Sequence, residues 1–154
     1  MKKLILLIAI ALYFLPNAQA VRFNIINLCN DSFYHSSNTE VLLPTTVAEI
    51  TLETLINNDI PYIGSESGIN SMLGTDTSLD SYEIISDSRM LAYGWCYSVN
   101  GVEPNALMSE FVIDPASEQT IDWYYGYAEY LDGEWISYCT PVYKSPRAFV
   151  CDPK

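Results

Sequence analysis

The sequence predicts an α+β domain, with an antiparallel-rich sheet packed on one short helix. Three observations predict it. Short runs rich in β-branched and aromatic residues recur along the chain; the apolar spacing turns helical once, near residues 51–56; and turn residues punctuate the runs at close intervals.

Residues 1–20 read as an export signal, not as part of the domain. Lys2 and Lys3 precede an uncharged apolar run from Leu4 to Leu15, Pro16 breaks it, and Ala18-Gln19-Ala20 supplies the small residues a signal peptidase accepts. Cleavage is expected after Ala20. The run is shorter than the ~20 residues a membrane span needs, so no span is expected afterwards. The expected destination is the periplasm, the cell surface or the medium. The short, lysine-led form is of bacterial type.

Residues 21–28, Val-Arg-Phe-Asn-Ile-Ile-Asn-Leu, make the opening strand, with Phe23 and Ile25 on one face. Asn30-Asp31-Ser32 is a turn. A second strand is expected near Thr39 to Leu43, ended by Pro44. Thr51 then offers an N-cap, Glu53 suits the first helical turn, and Leu52, Leu55 and Ile56 form an apolar stripe. Asn57-Asn58-Asp59 and Pro61 end the helix. From Pro61 to Asp80 the chain is polar and Gly/Ser-rich, interrupted by Ile69 to Leu73. Strands follow at Tyr82 to Ile85 and Met90 to Val99, with Asn100-Gly101 as a hairpin turn. Further strands are expected at Phe111 to Ile113, Thr120 to Tyr127, Glu134 to Cys139 and Ala148 to Cys151. No repeat, linker or low-complexity tract divides residues 21–154, which read as a single domain.

Nineteen acids against seven Lys and Arg give a net charge of −12, and loss of residues 1–20 removes two lysines and no acid, taking it to −14. Such a chain is repelled by nucleic acid and by anionic lipid, so no nucleic-acid partner is expected. Cys29, Cys96, Cys139 and Cys151 all follow the signal, and none forms a C-x-x-C, so two disulfides are expected and zinc or redox chemistry is not. Three pairings exist. Nearness in sequence favours Cys139 with Cys151, which leaves Cys29 for Cys96.

Aromatic residues crowd the second half of the chain. Alternation sets Trp95 and Tyr97 on one face of their strand, and Trp123 and Tyr125 on one face of theirs. More rings stand here than short strands can bury. Trp95, Tyr97, Trp123 and Tyr125 are therefore the candidate ligand-binding residues, for a planar ligand, a sugar ring or a peptide.

Four segments carry a family resemblance. Thr51-Leu52-Glu53-Thr54-Leu55-Ile56 is followed by Gly68-Ile69-Asn70-Ser71-Met72-Leu73-Gly74, then by Gly94-Trp95-Cys96-Tyr97-Ser98-Val99-Asn100-Gly101-Val102, and Thr120-Ile121-Asp122-Trp123-Tyr124-Tyr125 completes the set. Together they resemble the transcobalamin-like C-terminal domain, a domain of unknown function in bacteria, over roughly residues 39–130. The resemblance implies a β-grasp-like fold and a binding role. It places the loop from Asn100 to Asn105 near the ligand side, which adds Asn100 to the candidate residues. In animal cobalamin carriers the similar domain covers one face of a corrinoid and a large helical domain holds the other. No counterpart of that helical domain is present in these residues, so a corrinoid-like ligand is only weakly implied. Residues 135–154 lie outside the pattern, as a disulfide-stapled C-terminal extension.

Catalysis is not expected, and no cofactor is implied. His35 is the single histidine, all four cysteines are expected in bridges, and no G-x-S-x-G, P-loop or G-x-G-x-x-G occurs. Asp76, Ser78 and Asp80 offer oxygens but lack the Gly and final Glu of a calcium loop, so no metal site is expected. The expected role is a non-catalytic binding module for an unidentified small molecule. The alternative is a structural or protein-interaction module of the cell envelope.

Overall fold

The computed structural model describes residues 19–114 and 116–151. The expected export signal lies outside the described residues, apart from Gln19 and Ala20, which open the first strand. Strand β1 (Gln19–Ile26) turns back into β2 (Phe33–Val41), and Asn27 N–H donates to Ser32 O at 2.8 Å to close the turn. β2 begins well before the expected residue and stops short of Leu42 and Leu43. Its polar residues hide it in the sequence: it is an edge strand, only half-buried on alternate positions.

A two-residue strand β3 (Thr45–Thr46) leads into helix α1 (Val47–Asn57). The N-cap is Thr46, not Thr51. Its hydroxyl accepts from Glu49 N–H at 3.2 Å, while the Glu49 carboxylate accepts from Thr46 N–H at 2.7 Å, a complete capping box. Starting five residues earlier rotates the buried face onto Val47, Ile50, Thr51, Thr54 and Leu55 and leaves Ile56 exposed.

An unexpected strand β4 (Tyr62–Ser65) forms a hairpin with β5 (Gly68–Met72), which falls in the Gly68-to-Gly74 segment of the family resemblance. A 3₁₀ turn over Ser78–Ser81 then enters β6 (Tyr82–Ser86), followed by β7 (Arg89–Val99). Asn100 and Gly101 take the left-handed conformations that their residue types favour, at φ 52° and 75°. The turn is real, yet it holds only the bridge Val99–Val102. β7 pairs with β6 on one edge, and its partner on the other edge lies beyond β8 (Val112–Ile113): it is β9 (Gln119–Leu131), which continues into β10 (Glu134–Pro141). Residues 148–151, expected as a strand, form a short helix, α2 (Ala148–Cys151), because Arg147 O accepts from Val150 and Cys151 N–H.

The main sheet runs β2-β1-β9-β7-β6, with β1 parallel to β9 and every other neighbouring pair antiparallel. The thirteen-residue β9 is its spine. β7 lines one edge of it from Ile121 to Leu131, whereas the other edge is shared by β1 against residues 119–123 and β10 against residues 126–131. The molecule is thus a mostly-sheet α+β domain, as composition and pattern predict. Among the described residues, no helix is long and apolar enough to cross a membrane.

Odd-numbered positions of β1, β7 and β9 face α1 and make the core: Phe23, Ile25, Leu91, Ile121 and Trp123 are essentially sealed. The opposite face changes character row by row. Ser36, Asn24, Asp122 and Ser98 form a polar row; next comes Cys96 opposite Tyr124, then Gly94 opposite Gly126, then Ala92 opposite Ala128, and last Met90 opposite Tyr130.

All four cysteines are bridged, but as Cys29–Cys151 and Cys96–Cys139. The pairing expected from sequence nearness is overturned because the chain between Cys139 and Cys151 changes sides. Cys139 crosses the back of Gly126, and Tyr143 meets the back-facing Tyr124; Arg147 and Phe149 then pack on Tyr127 and Tyr93 at the front. Two cysteines twelve residues apart therefore end on opposite faces of the sheet. The complete bridging suits an oxidising compartment.

Candidate functional site

Alternation along β7 and β9 brings the four predicted rings together. Tyr97 stands opposite Trp123, and Trp95 opposite Tyr125, all on the core face. Ring centroids are 5.4 Å apart in the first pair and 5.5 Å in the second, within the range of aromatic attraction. Depth separates them. Trp123 is 1 % exposed beneath α1, and its Nε1–H donates to Thr51 Oγ1 at 3.0 Å. Tyr97 is half-buried over it, with its hydroxyl donating to Ala106 O at 2.8 Å. Tyr125 is 4 % exposed and stacks on Tyr93. Asn100 lies apart from the rings at the exposed turn, where its side-chain oxygen accepts from Thr120 N–H at 2.9 Å and ties the loop to the start of β9.

Trp95 differs from the other three in what it borders. β6 pairs with β7 only from Arg89 to Ala92, so from Tyr93 onward that edge of β7 is open. The β4–β5 hairpin and the Ser78–Ser81 turn stand beside the opening. Between them lies a hollow of about 460 Å³, lined by Ile63, Ile69, Thr77, Ser81, Tyr93 and Trp95. The indole is held: its Nε1–H donates to Thr75 Oγ1 at 2.9 Å. The lining of the hollow sets Ile63, Ile69 and the two rings among the polar groups of Asn70, Thr77, Ser78 and Ser81, and is more polar than the usual small-ligand site.

Of the lining residues only Trp95 was a candidate; Tyr93, Ile63 and Ile69 are the aromatic and aliphatic ones left out. Tyr93 was findable, since it continues the alternation of Trp95 and Tyr97. The hairpin residues carried a weaker signal, two isoleucines flanking a Gly64-to-Gly68 turn.

Burial shapes the chemistry of these phenols. It pushes Tyr125 up to about 12, with the Asp76 carboxylate adding to the effect. It raises Tyr93 further, helped by the hydrogen bond from its hydroxyl to Glu83, and it raises Tyr97 with a contribution from Glu110. All three remain protonated donors far above neutral pH. Asp76 and Asp80 do not join a ligand set: among the described residues, no group of three His, Cys, Asp or Glu side chains is placed to hold a metal ion. His35 sits half-buried on the edge strand β2, its ring edge-on to Phe23.

No family model and no curated protein matches the chain.

Proposed function

We propose that the chain is an exported, non-catalytic binding module that holds a small planar or chain-like ligand in the hollow beside Trp95. The observation that carries this reading is the placement of a fixed indole and the neighbouring Tyr93 ring in the wall of a hollow of mixed polar and apolar lining at an open strand edge. The transcobalamin-like resemblance points the same way. Support for a β-grasp-like fold comes from the topology: a first hairpin, then α1, then an antiparallel pair, with β1 parallel to β9 at the centre.

The test is a fluorescence titration of the oxidised protein with a corrinoid, an oligosaccharide and a peptide, repeated on Trp95→Phe and Trp135→Phe. A saturable change that survives Trp135→Phe and disappears in Trp95→Phe is expected for one of the three classes. No change with any of them overturns the proposal.

A specific observation favours the alternative, an interaction module of the cell envelope. Ile84, Met90, Tyr130 and Trp135 stand directly opposite one another across β6, β7, β9 and β10, on the sheet face away from α1. Ile84 is 69 % exposed, and Tyr138, which packs on Trp135, is 67 % exposed. An apolar row of this kind across four strands suits a protein partner. In the same titration, a peptide signal lost in Trp135→Phe and kept in Trp95→Phe supports this second reading.

A further inference from the structure

On the face of the sheet opposite the Trp95 hollow, a second cavity of about 280 Å³ lies over the polar row. Its polar lining is Ser98, Glu103, Asp122, Tyr124, Tyr143 and Lys144, and the Cys96–Cys139 bridge with Pro141 closes one side. We infer that this cavity is a binding site for an alkylammonium group. The inference is independent of the proposed role of the front hollow.

Three features carry it. First, Ser98 is 8 % exposed and borders the cavity, so its hydroxyl is available to a group inside it. Second, Asp122 is held in place. Its Oδ1 accepts from Asn24 Nδ2 at 2.7 Å; Asn24 is 2 % exposed, and its own Oδ1 accepts from Ser36 Oγ at 2.7 Å. A relay through the buried Asn24 and the exposed Ser36 fixes one oxygen of a carboxylate that lines the cavity. Supporting hydrogen bonds that orient an ionic group in this way are the mark of a built site.

Third, the charges and rings select the ligand. Two carboxylates, Asp122 and Glu103, face one base, Lys144, so an anion is disfavoured and a cation is drawn in by the net charge as well. Tyr124 and Tyr143 supply ring faces, packed edge to face at 6.3 Å. The Lys144 ammonium already lies 5.7 Å from the Tyr143 ring centroid, which shows that this wall accepts such a group. An ammonium carries three donors and no acceptor, matching the Asp122 and Glu103 oxygens and the Ser98 hydroxyl. The cavity is just below the usual lower limit for small-ligand pockets, about 300 Å³. That size fits an amine on a short alkyl chain.

The shared chemistry comes from two sources, a free diamine and a lysine side chain of another protein. Calorimetric titration of the oxidised chain with cadaverine, and separately with Nα-acetyl-lysine N-methylamide, distinguishes them. At least one should bind saturably, while 1,5-pentanediol, of the same length without charge, should not. Asp122→Asn should weaken binding about tenfold or more, the loss expected for one charge-assisted hydrogen bond. Asn24 still finds an acceptor in that variant. Should Asp122→Asn unfold, Glu103→Gln, at an exposed position, makes the same test with a several-fold loss. Glu53→Gln, an equal change of charge on exposed helix surface, should leave affinity untouched. Stronger binding of cadaverine assigns the site to free amines, and stronger binding of the lysine derivative assigns it to a protein partner. Failure of both amines to bind, or equal weakening by Glu53→Gln, overturns the assignment.

Discussion

Thr51 accepts the indole N–H of Trp123 inside the core, where no water can replace it. Thr51→Val keeps the shape of the side chain and removes the acceptor. The expected cost is about 1–3 kcal/mol, read as a lower urea midpoint at unchanged slope. The buried phenols make a second expectation at this scale. Tyr93, Tyr124 and Tyr125 all ionise above their ordinary value of 10.0, burial being the first cause in each case. Neutral tyrosine is thus favoured in the folded state. Its contribution to stability is complete below pH 10 and is lost as the pH climbs from there toward about 12. Absorbance at 295 nm should show a late group of tyrosines that ionise together with the loss of near-ultraviolet dichroism. Late ionisation with intact dichroism would contradict it. Alternation made the shared face of Trp95, Tyr97, Trp123 and Tyr125 legible in the sequence. It could not give their depth, because the cover comes from afar: α1 over Trp123 and Phe149 over Tyr93.

Helix α1 depends on its first turn. Thr46→Ala should cost about 1 kcal/mol, measured by thermal or urea unfolding. Hydrogen bonds from the Thr45 hydroxyl and the Thr46 backbone hold the Glu49 carboxyl below its usual value. The capping contribution is therefore present above the ordinary carboxylate range and fades as the pH falls through the lowered value; in Glu49→Gln the acid limb of the stability profile should flatten. The β4–β5 hairpin that walls the front hollow is equally sensitive at Gly64. A Cβ there would come within 2.6 Å of Gly68 O and 2.9 Å of the Ile69 Cα, so Gly64→Ala should distort the hairpin and weaken any ligand bound beside Trp95. The helix was legible in kind but misplaced at its start, since the Thr46-x-x-Glu49 box was passed over for Thr51. Strand β4 and the start of β2 were hidden by polar residues, whose strand character comes from pairing partners rather than from local composition.

At the scale of the molecule, peptide mapping of the non-reduced protein should yield Cys29–Cys151 and Cys96–Cys139, and recovery of Cys139 joined to Cys151 would reject the fold around the tail. Gly126→Ala tests the crossing itself. Its Cβ would stand 3.1 Å from Thr140 O and 3.2 Å from the Cys139 carbonyl carbon, so β10 must shift outward, at a cost of roughly 1–3 kcal/mol. The number of bridges was legible in the cysteine count, but the pairing was not, because sequence distance says nothing of the face on which a side chain arrives. The Cys29–Cys151 bond also has a mechanical meaning. It joins positions 122 residues apart in sequence whose Cα atoms are 5.6 Å apart. Tension entering at these two points would pass through two sulfur atoms and spare everything between them. Among the described residues only β1 lies ahead of the bridge, so a pull from the amino-terminal side would peel that strand from β2 and β9 and then stall.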